Sequence, residues 1–165
     1  MNREIEDDRL ARVREFYAGA LAWSRRIYSL ELKTQDEFKS QFVPFAEQAV
    51  NVYNANDKNF LYQCLRDYER PDDYIYCHAV NVAFISLELG RGMNYSSQRL
   101  CELFSAALMH DIGIMMYAEY INKRGVLTHE ELGKVREHTA RGMEVLNNIG
   151  GEFLPGLKEV ITKEH

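Results

Sequence analysis

Apolar residues recur every three or four positions along most of this chain, and no stretch alternates every two residues between turns. That period predicts helices throughout and an all-α fold. The first helix is expected from about residue 4 to 30, with Leu10, Val13, Phe16, Tyr17, Ala20, Leu21 and Ile27 at helical spacing. "TQDE", Thr34 to Glu37, has the form of a capping box, in which the threonine and the glutamate satisfy each other's free amides. Phe38, Phe42, Phe45, Ala49 and Tyr53 then form one stripe, and Pro44 should kink or restart that helix. "NANDKN", Asn54 to Asn59, reads as a turn, with a short helix after it to about Tyr68 and Pro71 as punctuation.

The next helix is predicted from about Asp72, with Tyr74, His78, Val82, Ile85 and Leu89 on an inward apolar face and Gly90 or Gly92 at its end. Ser96 or Ser97 caps a helix in which Leu100, Leu103, Phe104, Ala107 and Leu108 lead to His110. After a loop through "NKRG", a second capping box, Thr128 to Glu131, opens one helix carrying Leu132, Val135, His138, Gly142, Val145 and Leu146, which ends at "NNIGG". Pro155 begins a last helix with Leu157, Val160 and Ile161, which stops at His165 without a C-cap and so reads as cut off.

With 165 residues, 46 % of them hydrophobic, the chain is long and apolar enough for a folded domain. A formal charge of −5 argues against general nucleic-acid binding, which needs a basic face, but leaves room for a local basic pocket. The N-terminus is charged throughout, nothing resembles a signal peptide, and no apolar run approaches the length of a bilayer span. Cys64, Cys77 and Cys101 show no CxxC spacing and read as buried free thiols in a reducing cytoplasm.

The chemistry concentrates in "SAALMHDIGIMMYAEY", where His110 and Asp111 stand side by side at the end of an apolar run. An imidazole and a carboxylate are costly to bury unless something pairs them, and a divalent metal does so. Neighbouring residues on a helix project about 100° apart, but at a helix end both can turn to one point, and Gly113 lets the backbone leave sharply. His78, His138 and His165 each fall on the predicted inward face of their own helix. A single such histidine is usually a satisfied core residue; the set, joined to the His-Asp pair, points to a metal site between helices. His129, in the first turn of a capped helix among glutamates, reads as a solvated surface residue.

Three blocks carry a family resemblance: "DDYIYCHAVNV", "AALMHDIG" and "GVLTHEELGKVREHTARGMEVL". In this order and spacing they resemble the HD superfamily of metal-dependent phosphohydrolases, and more closely the HD-GYP family. The likeness covers about residues 70 to 165, with residues 31 to 70 similar to helices that often precede the domain. The resemblance implies an HD-domain helical bundle over 71–165, lacking its C-terminal part, preceded by an N-terminal helical segment over 1–70. It implies metal ligands at His78, His110, Asp111 and His138, with His110 and Asp111 at the catalytic centre and Asp111 bridging two metals, commonly iron or manganese. His165 matches one member of a later histidine pair, and Glu164 stands beside it. The implied activity is hydrolysis of cyclic di-GMP to the linear dinucleotide and on to GMP. Two departures stand out: Ile114 replaces a lysine that approaches the substrate phosphate, and Tyr74 replaces a glutamate found in members with three metals. The first favours a rival reading, a degenerate regulatory module that binds nucleotide or a partner protein without turnover; a further alternative is an HD phosphohydrolase with another nucleotide substrate. The N-terminal helix reads either as an element packed on its own domain or as a link to a second copy or an upstream sensor or receiver domain.

Overall fold

The computed structural model describes residues 2–64 and 73–149, and every regular element among them is helical. Helix α1, Asn2–Tyr28, lies across α3, Val43–Cys64, and α4, Tyr74–Gly92; α5, Ser97–Met109, packs along α4 and closes the bundle. The short α2, Gln35–Glu37, carries the expected capping box: Thr34 Oγ1 accepts from the Glu37 amide at 3.2 Å, and Glu37 returns a carboxylate to the Thr34 amide at 3.2 Å. One π-helical turn, Phe38–Phe42, precedes α3, whose second residue is Pro44, so the helix restarts at the proline, where a missing N–H is tolerated. The stripe from Phe38 to Tyr53 is buried in full.

Phe16, Trp23, Phe42, Phe45, Phe84 and Phe104 meet in one chain of rings, mostly edge-on or tilted, across α1, the π-helical turn, α3, α4 and α5. Each buried phenylalanine contributes roughly 1.5–3 kcal/mol of transfer free energy. Asn81, inside this core, accepts a hydrogen bond from Tyr17 Oη at 2.5 Å and donates to the Cys64 carbonyl at 3.2 Å, tying three helices together. Where α4 crosses α5, a Cβ on Gly90 would meet Leu103 at 2.8 Å and Leu100 at 2.9 Å, so that glycine serves close approach rather than a helix stop.

Three expectations about the helices fail. Helix α3 runs straight through Asn54–Asn59 to Cys64. Asparagine and aspartate cost only a few tenths of a kcal/mol per position, and the packed ends, buried Tyr53 and the hydrogen-bonded Cys64 carbonyl, outweigh them. On α4 the predicted inward face is the outer one: Tyr74, Ile85 and Leu89 are exposed, while Ile75, Ala79, Val80, Ala83, Phe84 and Leu87 are buried. The single helix expected after Thr128 is two, α7, His129–Val135, and α8, His138–Asn148. The capping box at Thr128 and the cap at Ser96 form as expected. The three cysteines are free thiols, half-buried rather than buried.

Beyond α5 the chain continues as a 3-10 helix, Ile112–Tyr117, and a turn of helix, α6, Ala118–Ile121. Contrary to expectation, Ser97–Ile121 is long and apolar enough to cross a membrane, by length and composition only, but 61 % of its apolar window is buried inside the bundle, as in a core helix. Pro71 and the predicted last helix with Pro155, Leu157, Val160, Ile161, Glu164 and His165 lie outside the described residues.

Candidate metal centre

Three separate pieces of chain meet at Asp111. The first is the end of α5, a helix buried from Phe104 to Met109. Its last carbonyls have no helical partner, and the His110 ring satisfies one of them: Nδ1 lies 2.7 Å from the Ala107 oxygen. His110 is buried and keeps helical backbone angles, whereas Asp111 leaves them (φ −100°, ψ 21°) and turns its carboxylate beside the ring. The second piece is the start of α8. His138, also buried, places Nδ1 2.6 Å from the Val135 oxygen, in the break between α7 and α8. A ring that takes a nearby carbonyl competes with the helix ladder, and that competition sits where the predicted helix divides. The third piece is α4, where His78 stands at the border of the buried face, half-exposed, with the Tyr74 ring stacked on it at 5.8 Å and 14°.

Asp111 faces all three rings. Oδ2 lies 3.2 Å from His110 Nε2 and 4.0 Å from His78 Nε2, and Oδ1 lies 3.3 Å from His138 Nε2. Ligand atoms of His78, His110 and Asp111 all fall within 4.8 Å of one another. Because Nδ1 of His110 and of His138 lies on a carbonyl, Nε2 is the atom each ring turns toward the carboxylate: a protonated ring donates there, and a neutral ring offers a lone pair to a cation. Burial is the largest single influence on Asp111 and opposes its charge; the hydrogen bond and charge of His110, with His138 and His78, outweigh it and hold the carboxyl below its ordinary value. Nitrogen lone pairs and an ionised carboxylate pointed at one space are a donor set for a divalent cation, and backbone carbonyls behind the rings are the usual way such ligands are oriented. The residues present therefore fit a metal.

Four of the five predicted ligands, His78, His110, Asp111 and His138, come together; the fifth, His165, lies outside the described residues. His129 is exposed, as expected. Gly113 acts differently from its expected role. Its backbone needs no left-handed conformation, but a Cβ there would come within 2.0 Å of the His138 carbonyl oxygen and 2.4 Å of the Gly142 amide. The glycine lets the 3-10 helix lie directly on the first turn of α8. Ile114 is half-buried and packs against the core. The Tyr74–His78 stack was not anticipated, although their spacing of four on a helix was a signal for it.

Residues 75–163 match the HD domain family, which is more than half of the chain, and the chain belongs to that family. Among curated proteins it is similar to a cyclic di-GMP phosphodiesterase of Pseudomonas aeruginosa, PA4108, 38 % identical over 46 % of this chain and 18 % of that one. It is also similar to a cyclic di-GMP phosphodiesterase of Thermotoga maritima, 26 % identical over 86 % of this chain and 35 % of that one. A third relative is the cyclic di-GMP phosphodiesterase PdeB of Borreliella burgdorferi, 34 % identical over 40 % of this chain and 18 % of that one. The chain thus spans about a third or less of the curated relatives it matches. No solved structure gives a significant match.

Proposed function

We propose that this chain is the metal-binding core of a phosphodiesterase of the HD-GYP type that hydrolyses cyclic di-GMP. The observation that carries the reading is Asp111 set between Nε2 atoms, with one oxygen toward His110 and His78 and the other toward His138. A carboxylate so placed suits a shared ligand: Asp111 with His78, His110 and His138 would hold a pair of divalent ions, with His165 a further ligand. Iron and manganese match this mixture of imidazole and carboxylate donors. When bound, such a pair supplies a hydroxide nucleophile near neutral pH and offsets charge on the phosphate oxygens. The chain's own part is to fix donors in advance. The Ala107 and Val135 carbonyls orient two rings, and Tyr74 backs the third.

The substrate follows from relatives named cyclic di-GMP phosphodiesterases, and the domain would begin near residue 71 with residues 1–70 as its N-terminal helical segment. Ile114 offers no cation to a phosphate and favours a second reading, a module that binds nucleotide or a partner without turnover. The retained donor set weighs against it, since ligands left buried without their cation are costly. Metal analysis coupled to a cyclic di-GMP hydrolysis assay separates the two. Metal with release of linear dinucleotide or GMP supports the enzyme; metal or nucleotide uptake with no product supports the binding module.

A further inference from the structure

The 3-10 helix that follows Asp111 touches the first turn of α8 at two places. One is Gly113 against the His138 carbonyl. The other is Tyr117, the last residue of the 3-10 helix, which is buried and donates its hydroxyl to Glu137 Oε2 at 3.3 Å. Glu137 is the residue immediately before His138. Arg141, one turn later, lies against the same tyrosine as well as Glu144, to which its Nη1 donates at 2.9 Å. The tyrosine hydroxyl therefore addresses Glu137, the cap residue just before His138, and Arg141 one turn along α8, from the far end of the segment that starts at Asp111. Two fixed points are the least that can set the slide and the rotation of one short helix on another.

We propose that Tyr117 is a positioning residue for the His138 half of the metal centre, acting through Glu137 to hold the 3.3 Å approach of His138 Nε2 to Asp111 Oδ1. This rests on the proposed two-metal reading. Nothing in it alters the His78–His110 half, which is built from α4 and α5.

The test is manganese(II) titration of the full chain, followed by paramagnetic resonance, with thermal unfolding alongside. The wild type is expected to take up two ions. Tyr117→Phe keeps the ring and loses the hydroxyl, and should weaken one of the two sites by about tenfold or more, as loss of a ligand's outer partner does. The other site stays unchanged, and the unfolding midpoint falls by no more than about 4 °C. Glu137→Ala should reproduce that effect, Glu137→Gln, which keeps an acceptor oxygen, should not, and Y117F with E137A should be no weaker than either alone. Because Glu137 is exposed, its two variants decide the matter if Tyr117→Phe does not fold. Unchanged affinities, equal weakening of both sites, or additive losses overturn the inference while leaving the metal reading intact. A wild type that takes up fewer than two ions overturns the metal reading and this inference together.

Discussion

Asp111 is the residue on which the rest turns. Its carboxylate is held ionised against the cost of burial, and both of its oxygens are in use. An Asp111→Asn change keeps the shape and removes the charge; it should abolish measurable manganese uptake and leave hydrolysis down by at least a thousandfold. Isothermal titration and product analysis check this, and uptake within twofold of wild type would contradict it. Tyr74→Ala removes the ring stacked on His78. Loss of such an orienting contact should weaken metal binding roughly tenfold, while Tyr74→Phe should be close to neutral. A third outcome concerns Cys64, whose thiol burial pushes up to about 12 from an ordinary 9.0. The folded chain then holds its proton where the unfolded chain loses it, so this residue's contribution to stability is present below pH 9 and is lost as pH rises toward 12. At pH 8 its reaction with a maleimide should be about a thousandfold slower in the folded chain than in urea, because only the thiolate attacks; equal rates would contradict the burial argument.

At the scale of elements, the close contact at Gly113 makes the sharpest demand. A methyl group there meets backbone rather than a flexible side chain, and overpacking of this kind costs about 1–3 kcal/mol or more. Gly113→Ala should lower the unfolding midpoint and cut metal affinity together, as calorimetry and titration would record; a stable variant with intact binding would show that the two segments are not packed as described. Capping boxes and the phenylalanine stripe were legible in the sequence because local chemistry decides them: Thr34 with Glu37, Thr128 with Glu131, and Phe38 to Tyr53 at helical spacing. The inward face of α4 was not legible, because that helix is apolar on both sides. Val82, Ile85 and Leu89 looked as good a core stripe as Val80, Phe84 and Leu87, and only packing against α1 and α5 distinguishes them. His78 was assigned for its place on the supposed core stripe, yet it reaches Asp111 from the border of the true one. Likewise, the end of α3 and the division between α7 and α8 depend on contacts that propensity does not record, a distant amide on Asn81 and a ring on a carbonyl. The metal ligands were readable as residues but not as a geometry, and the reason for Gly113 was hidden until α8 was placed on it.

For the molecule as a whole, one hydrophobic cluster extends from Val13 on α1 to Ile149 after α8, so the helices before residue 64 and those carrying the site share a core. The centre is consequently held by the bundle, not by a loop, and unfolding and metal release should be coupled: bound ligand stabilises by mass action. That rigidity also frames Ile114. It packs on the core where the resemblance expects a cation, so Ile114→Lys asks whether the bundle tolerates a charge there and whether activity rises with it. The claim beneath all of this is that Asp111 joins imidazoles from separate helices around bound metal. Elemental analysis of the purified full chain tests it most directly, comparing wild type with Asp111→Ala and with His129→Ala, which alters only an exposed histidine. The account predicts about two ions per chain for wild type and His129→Ala, and next to none for Asp111→Ala. Equal metal content in all three would contradict it.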